Sequence, residues 1–133
     1  MTTAVLFLAS ALAAGGPDAT PQSDYARLLK TNVSRGRVNY SGVAAMRAEL
    51  DSYLNYVATT PAPRGKKRAM AFYIDAYNAL VLRAVLDSGT PKSVLDAKDF
   101  FKTKAHKVAG RTVSLDELEK KVLNPLANDP RTH

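Results

Sequence analysis

One long apolar run lies in the middle of the chain, from Ala69 to Leu86, and its only strongly polar side chains are Asp75, Asn78 and Arg83. A helix at a protein surface would have one apolar stripe and one charged face, whereas this run is apolar on nearly every side. We therefore predict a helix at about residues 66–88 that is enclosed by the rest of the protein. A membrane span is the less favoured alternative, because Asp75 and Arg83 would be costly in lipid at mid-segment.

Two polar side chains of this helix need partners. Asp75 and Asn78 are three residues apart, so they lie on nearly the same side of a helix. Buried polar groups are nearly always hydrogen-bonded. We expect Asp75 and Asn78 to bond to backbone groups of the loops that pack on the helix, which is a structural role.

Composition limits the class of protein. A chain of 133 residues with 46% hydrophobic residues and charges of both signs is typical of one globular domain. The chain has no cysteine, which excludes disulfides, thiolate metal sites and a thiol nucleophile.

The N-terminal residues have the composition of an export signal. Ala4 to Ala14 form an apolar block that is too short to cross a bilayer, and Ala11-Leu12-Ala13 suits a signal peptidase. We predict a signal peptide and linker at residues 1–23, a single domain at 24–133, and a periplasmic or extracellular location. No basic residue lies between Met1 and Thr3, and the alternative is an ordinary buried N-terminal helix.

The other elements follow from periodicity and turn residues, and together they predict a mainly α fold of the α+β class. Helices are expected at Asp24 to about Thr31 and at about Val43 to Thr59, on either side of a turn at Ser34 to Arg37. A short β-hairpin is expected near residues 104–113, with Gly110-Arg111 at its turn. Ser114 and Glu117 have the spacing of a capping box, which begins a helix that should end near Val122 or Leu123, before Pro125.

Several segments resemble those of a known family. The segment Ala71 to Leu80, AFYIDAYNAL, resembles the AFWINAYNAL signature of the domain of unknown function 547 (DUF547) family. Weaker likenesses follow the same order as in that family. They include Gly36 to Tyr40, Ser114 to Glu119, and Asp129-Pro130-Arg131 with His133, so that the resemblance covers about residues 25–133. The resemblance implies no particular activity.

Departures from the family pattern bear on function. Asp75 stands where the family usually has Asn, Glu119-Lys120 where it has Glu-His, and Leu123-Asn124 where it has Leu-Arg. After the element that includes His133, the family continues into a buried strand with an Asn-Cys pair and a later Cys-Pro. The resemblance therefore implies a truncated domain, and self-association through the surface left uncovered is one expectation.

One hypothesis for catalysis places Asp75, Asn78, Glu119 and His133 around a single polar cleft. Asp75 or Glu119 would be the general base, with a pKa raised by burial or a charge paired with a cation such as Arg83, Lys120 or Arg131. A hydrolase-like enzyme acting on the cell envelope would follow. The structural role of these side chains is the favoured alternative, because the chain has no thiol and because His133 is its last residue.

We expect no cofactor and no metal ion. The two histidines, His106 and His133, are too far apart in the sequence to have metal-site spacing, and His106 is expected to be an exposed residue of the hairpin.

Positive charge is concentrated in two segments, and the net charge is +7. Seven residues are candidates for binding an anion: Arg64, Lys66, Lys67, Arg68, Lys104, Lys107 and Arg111. An anionic envelope polymer or lipid headgroups are the expected partners, and nucleic acid is less favoured because no binding motif is present. A solvated basic surface is the alternative. The leading hypothesis for function is a noncatalytic, exported binding or assembly module.

Overall fold

Three helices form the body of the protein in the computed structural model, which describes residues 20–88 and 104–127. They are α1 (Pro21–Asn32), α3 (Arg47–Thr59) and α4 (Lys66–Ser88). Residues 1–19 of the predicted signal peptide and linker, together with Arg131 and His133, lie outside the described residues.

Helix α1 begins three residues earlier than expected. Thr20 is its N-cap and forms a capping box with Ser23, while Pro21 occupies the first helical position, where its missing N–H removes no hydrogen bond. Tyr25 of α1 stacks on Tyr53 of α3, with the ring centroids 4.2 Å apart. Farther along α1, Arg27 pairs with Glu49, so the two helices run antiparallel.

Helix α4 is the buried central helix that the apolar run predicted. Its side chains on several sides are buried in the core, among them Phe72, Ala76, Ala79 and Leu82. By length and composition alone, Lys66–Asp87 could also cross a membrane, with a mean hydropathy of 1.3, but 61% of that window is buried within the protein. The contacts of α4 with α3, with the short helix Tyr40–Ala45 and with the C-terminal helical region are therefore enough to explain its low charge.

Residues 33–45 form a small hairpin and a separate short helix. Strands β1 (Val33–Ser34) and β2 (Arg37–Val38) pair antiparallel. Both turn residues have positive φ, 54° at Arg35 and 77° at Gly36, as a type I′ turn requires. Helix α2 (Tyr40–Ala45) follows at once.

The single helix predicted from about Val43 to Thr59 is wrong in its first part, because the chain leaves the helical path at Met46. The Met46 backbone has φ −108° and ψ 29°, and its N–H approaches the carbonyls of both Gly42 and Val43. The buried Asn32 side chain donates to Met46 Sδ at 3.4 Å. The break is thus associated with a contact to α1 and has no glycine or proline at its position.

The second hairpin comprises β3 (His106–Val108) and β4 (Arg111–Val113). Its turn is Ala109-Gly110, one residue earlier than predicted. The backbone N–H groups of these two residues donate to the carbonyls of Val57 and Ala58, at 2.7 and 2.8 Å. The last carbonyls of a helix have no hydrogen-bond partner within the helix. The turn of the hairpin therefore provides donors for two carbonyls at the C-terminal end of α3.

The C-terminal helical region contains a π-helical segment that the sequence did not indicate. The predicted capping box between Ser114 and Glu117 is present and begins α5 (Leu115–Glu117). The chain continues through the π-helical segment Leu118–Leu123 into α6 (Asn124–Ala127), beyond the predicted end.

Pro125 accounts for the wide turns. In an α-helix its ring would clash with the Lys121 carbonyl, and it has no N–H to donate. Asn124 donates to the Glu119 carbonyl five residues back, so the helix passes through the proline by widening.

Candidate functional site

The two basic segments predicted from the sequence meet at one end of the three-helix body. The turn of the second hairpin is hydrogen-bonded to Val57 and Ala58, so Arg111 lies beside the end of α3. Tyr56 near that end contacts Phe72 near the start of α4, with ring centroids 6.5 Å apart. Arg64 lies in the loop that connects this end of α3 to the start of α4. We call this region the basic end.

Exposed cations from α4 and the hairpin gather at the basic end without carboxylate partners. Those that form no ion pair with any side chain of residues 20–88 and 104–127 are Arg64, Lys67, Arg68, Lys107 and Arg111. An open cavity of about 560 Å³ is lined by residues 64–68. Gly65 has φ +92°, which lets the chain turn sharply into α4. The charge of this end is therefore not neutralised by side chains of the described residues.

Arg47 and Arg83, which lie away from the basic end, are neutralised. Arg47 and Arg83 alternate with Asp51 and Asp87 in a closed ring of four ion pairs that joins α3 to α4, with N···O distances of 2.7 to 3.9 Å. These side chains are exposed or half-buried, so each ion pair of the ring contributes little to the stability of the protein. Its effect on charge is clear: Arg83 is engaged with Asp51 and Asp87 and does not neutralise Asp75.

Asp75 is half-buried on the side of α4 that faces α1 and α3. Burial raises the pKa of Asp75 from 3.8 to about 6. Its carboxylate adds to burial in raising the pKa of Tyr25 and of Tyr53, which places it close to both rings. No hydrogen bond joins the Asp75 side chain to another described residue. The group is thus a carboxyl that binds a proton more tightly than an exposed one.

Glu119 lies on a different side of α4. The pKa of Tyr77 is raised to about 12, first by burial and then by the Glu119 and Asp116 carboxylates. Tyr77 is two residues after Asp75, which corresponds to about 200° around a helix. The structure therefore places Asp75 and Glu119 against different tyrosines, with the helix between them. Asn78 is buried in the core, and exposed Glu119 opens to solvent.

His106 is half-buried, so the expectation of an exposed ring is wrong. Burial, with Lys104 and Arg83 nearby, lowers the pKa of His106 to about 4, which keeps its ring neutral at pH 7. Lys104 and Arg83 are therefore both near His106. Among the described residues, no three His, Cys, Asp or Glu side chains gather in a way that could hold a metal ion.

Sequence reasoning passed over a second group of cations. Arg35 lies in the turn of the first hairpin and Arg37 follows that turn, and both are exposed and form no ion pair with a described residue. The sequence does indicate this second group, because residues 25–48 contain five Lys and Arg and no Asp or Glu.

The described residues thus form a mainly helical α+β domain with a strongly basic end. A family model described as a protein of unknown function, DUF547, matches residues 63–133, which confirms the resemblance seen at Ala71 to Leu80. The chain belongs to the DUF547 family. The match does not reach residues 25–62, where the likeness stays a prediction. Searches of curated proteins and of solved structures found no match.

Proposed function

We propose that this protein is an exported, noncatalytic binding module that holds an anionic polymer of the cell envelope at its basic end. The observation that carries the proposal is the gathering of unpaired cations from two elements on one surface, while Arg47 and Arg83 elsewhere are neutralised by acids. An excess of one sign on a single surface attracts polymers of the opposite charge.

The geometry suits an extended ligand. Arg68 belongs to α4 and Arg111 to β4, so a linear polyanion crossing the end of α3 would contact both elements. The cations lie on a surface that is open to solvent, and binding would be driven largely by the release of counterions from the polymer. Affinity should therefore fall steeply with salt.

Retention on heparin, a soluble linear polyanion, tests the proposal. Lys67→Gln with Arg68→Gln removes two unpaired cations of the basic end. We expect affinity to fall at least tenfold. We also expect the slope of log affinity against log salt to decrease by about 1.5, the value for two lost contacts.

The matched control is Lys120→Gln with Lys121→Gln. It removes the same charge, but from lysines that are paired with Asp116 and Glu117. An equal loss of heparin affinity in the two double variants would show that net charge alone governs retention. That result would contradict the proposal. Binding to phosphatidylglycerol vesicles but not to heparin would assign the basic end to a membrane surface instead.

The exported part of the proposal rests on Ala4 to Ala14. Expression in a bacterium, followed by mass measurement of the exported product, tests it. We expect cleavage after Ala13. An uncleaved cytoplasmic product would contradict it.

A second candidate function is a hydrolase-like enzyme using Asp75, Glu119 and His133, and one observation favours it. The pKa of Asp75, raised to about 6, is suited to a general base near neutral pH. Its weakness is that Asp75 and Glu119 face different tyrosines across α4. Hydrolysis of an envelope substrate that is lost in Asp75→Asn while the fold is retained would support this candidate over the binding module.

A further inference from the structure

An open cleft of about 840 Å³ lies at the end of the body opposite the basic end. The last turn of α1, the first hairpin and the residue before α2 form its walls. Its polar lining is provided by Thr31, Asn32, Ser34, Arg35, Arg37 and Asn39. The volume is within the range of small-molecule sites, about 300 to 1,000 Å³.

All charged residues in the stretch of sequence that forms this cleft are basic. Residues 25–48 contain five basic residues and no acid. Arg27 and Arg47 are paired with carboxylates from residues outside that stretch. Arg35 and Arg37 are not paired with a carboxylate of the described residues, and both line the cleft. Within the described part of the chain, these two guanidinium groups thus have no counter-charge.

The strands place these groups in a defined arrangement. Ser34 and Arg37 are directly opposite in the ladder, so their side chains leave the same face of the hairpin side by side. The hairpin is also held at its base, where Asn39 donates its backbone N–H to the Asn32 carbonyl at 2.8 Å. The Asn39 side-chain oxygen accepts from the backbone N–H of Gly42 at 3.2 Å, which fixes the start of α2.

The backbone at Arg35 is unusual for a residue with a side chain. Its φ is 54°, a conformation that glycine adopts more easily than arginine. The turn Ala109-Gly110 of the second hairpin has the same pair of φ values, 54° and 77°. It therefore provides an internal reference for the same backbone without the positive charge.

We propose that the cleft beside Arg35 and Arg37 binds a phosphate ester that carries a hydroxylated group, such as a sugar phosphate. The planar guanidinium forks match phosphate oxygens in a bidentate manner. The hydroxyls of Thr31 and Ser34 and the amide of Asn39 suit the neutral hydroxyls of the same ligand. No aromatic ring lines the cleft among the described residues, so its lining has no surface on which a nucleobase would stack.

This site is separate from the basic end. The hairpin adjoins the start of α3, whereas the basic end adjoins its last turn, and 13 helical residues span about 20 Å. Failure of heparin binding would therefore leave the cleft untouched, and failure of the cleft would leave the polymer-binding proposal untouched.

Titration calorimetry with glucose 6-phosphate tests the inference, using Arg35→Gly as the main variant. Glycine is well suited to the positive φ at this position, so the turn is retained while the guanidinium is removed. We expect a loss of affinity of at least tenfold. Ala109→Gly is the matched control, because it makes the same type of backbone change in the other turn, and it should bind as the wild type does.

Arg37→Gln is the second variant and is expected to weaken binding to a similar extent. Glucose alone and inorganic phosphate should each bind more weakly than glucose 6-phosphate. Phosphatidylglycerol vesicles also present a phosphate ester with hydroxyl groups, as part of a lipid headgroup. Tighter binding to these vesicles than to glucose 6-phosphate would identify the ligand as a lipid headgroup. Binding of neither phosphate ester, or equal binding by the wild type and Arg35→Gly, would overturn the inference.

Discussion

Replacing Asp75 with asparagine is expected to stabilise the protein at neutral pH. The side chain is half-buried beside Tyr25 and Tyr53, and no described residue gives it a hydrogen bond or a cation. An ionised carboxylate is costly in such surroundings, whereas an amide of nearly the same shape carries no charge.

The magnitude follows from proton binding. Burial raises the pKa of Asp75 from 3.8 to about 6. At about 1.4 kcal/mol for each tenfold change in proton affinity, the cost of ionisation in the folded state is about 3 kcal/mol. Because the folded protein binds this proton more tightly than the unfolded chain, the contribution to stability is complete below pH 3.8. It is lost as the pH rises through 6.

Urea unfolding of the wild type and Asp75→Asn between pH 4 and pH 8 measures this effect directly. The difference in the free energy of unfolding should be small at pH 4, rise with pH and become constant above about pH 7, where the Asp75→Asn variant would be more stable by about 3 kcal/mol. Taking the difference between the two proteins removes the contributions of other titrating groups. A difference that does not vary with pH, or that favours aspartate at pH 8, would refute the reasoning.

Three further substitutions test separate parts of the fold. Tyr25→Phe removes a buried hydroxyl that has no hydrogen-bond partner among the described residues, so thermal unfolding should show stability unchanged or raised by about 1 kcal/mol; a loss of about 2 kcal/mol or more would reveal a partner. Ser114→Ala removes the N-cap acceptor of α5 and should lower the unfolding free energy in urea by about 1 kcal/mol, and an unchanged midpoint would show that the cap is dispensable. Gly42→Ala would bring a methyl group against the buried Asn32 side chain, so calorimetry should show a loss of about 1 to 3 kcal/mol, whereas wild-type stability would show that Asn32 moves freely.

The elements that could be predicted are those whose signals are local. The apolar run at Ala69 to Leu86 was enough to identify the buried helix, because hardly any charge interrupts it. The spacing of Ser114 and Glu117 was enough to identify the capping box, because both of its hydrogen bonds lie within four residues. Gly110 located the second hairpin to within one residue of its turn.

The remaining features depend on contacts between distant residues. The break at Met46 has no breaker residue of its own and adjoins Asn32 of α1. The register of the second hairpin depends on its bonds to Val57 and Ala58, which no local pattern encodes. Pro125 was read as a stop signal, and only the structure shows a helix that widens to pass it.

The same distinction applies to the candidate site. Both basic segments were visible in the sequence, but their meeting at one end depends on the packing of α3, α4 and the hairpin. Lys104 was grouped with them because it is near in sequence, and in the fold its charge acts on His106.

The binding surface can be located directly by recording backbone amide NMR shifts of the ¹⁵N-labelled protein as a short heparin fragment is added. We expect the largest shifts at residues 64–68 and 107–111, little change around Arg47 and Arg83, and reversal of the shifts on adding salt. Shifts that are absent, or that are centred on the ion-pair ring, would contradict a basic end built to hold an anionic polymer.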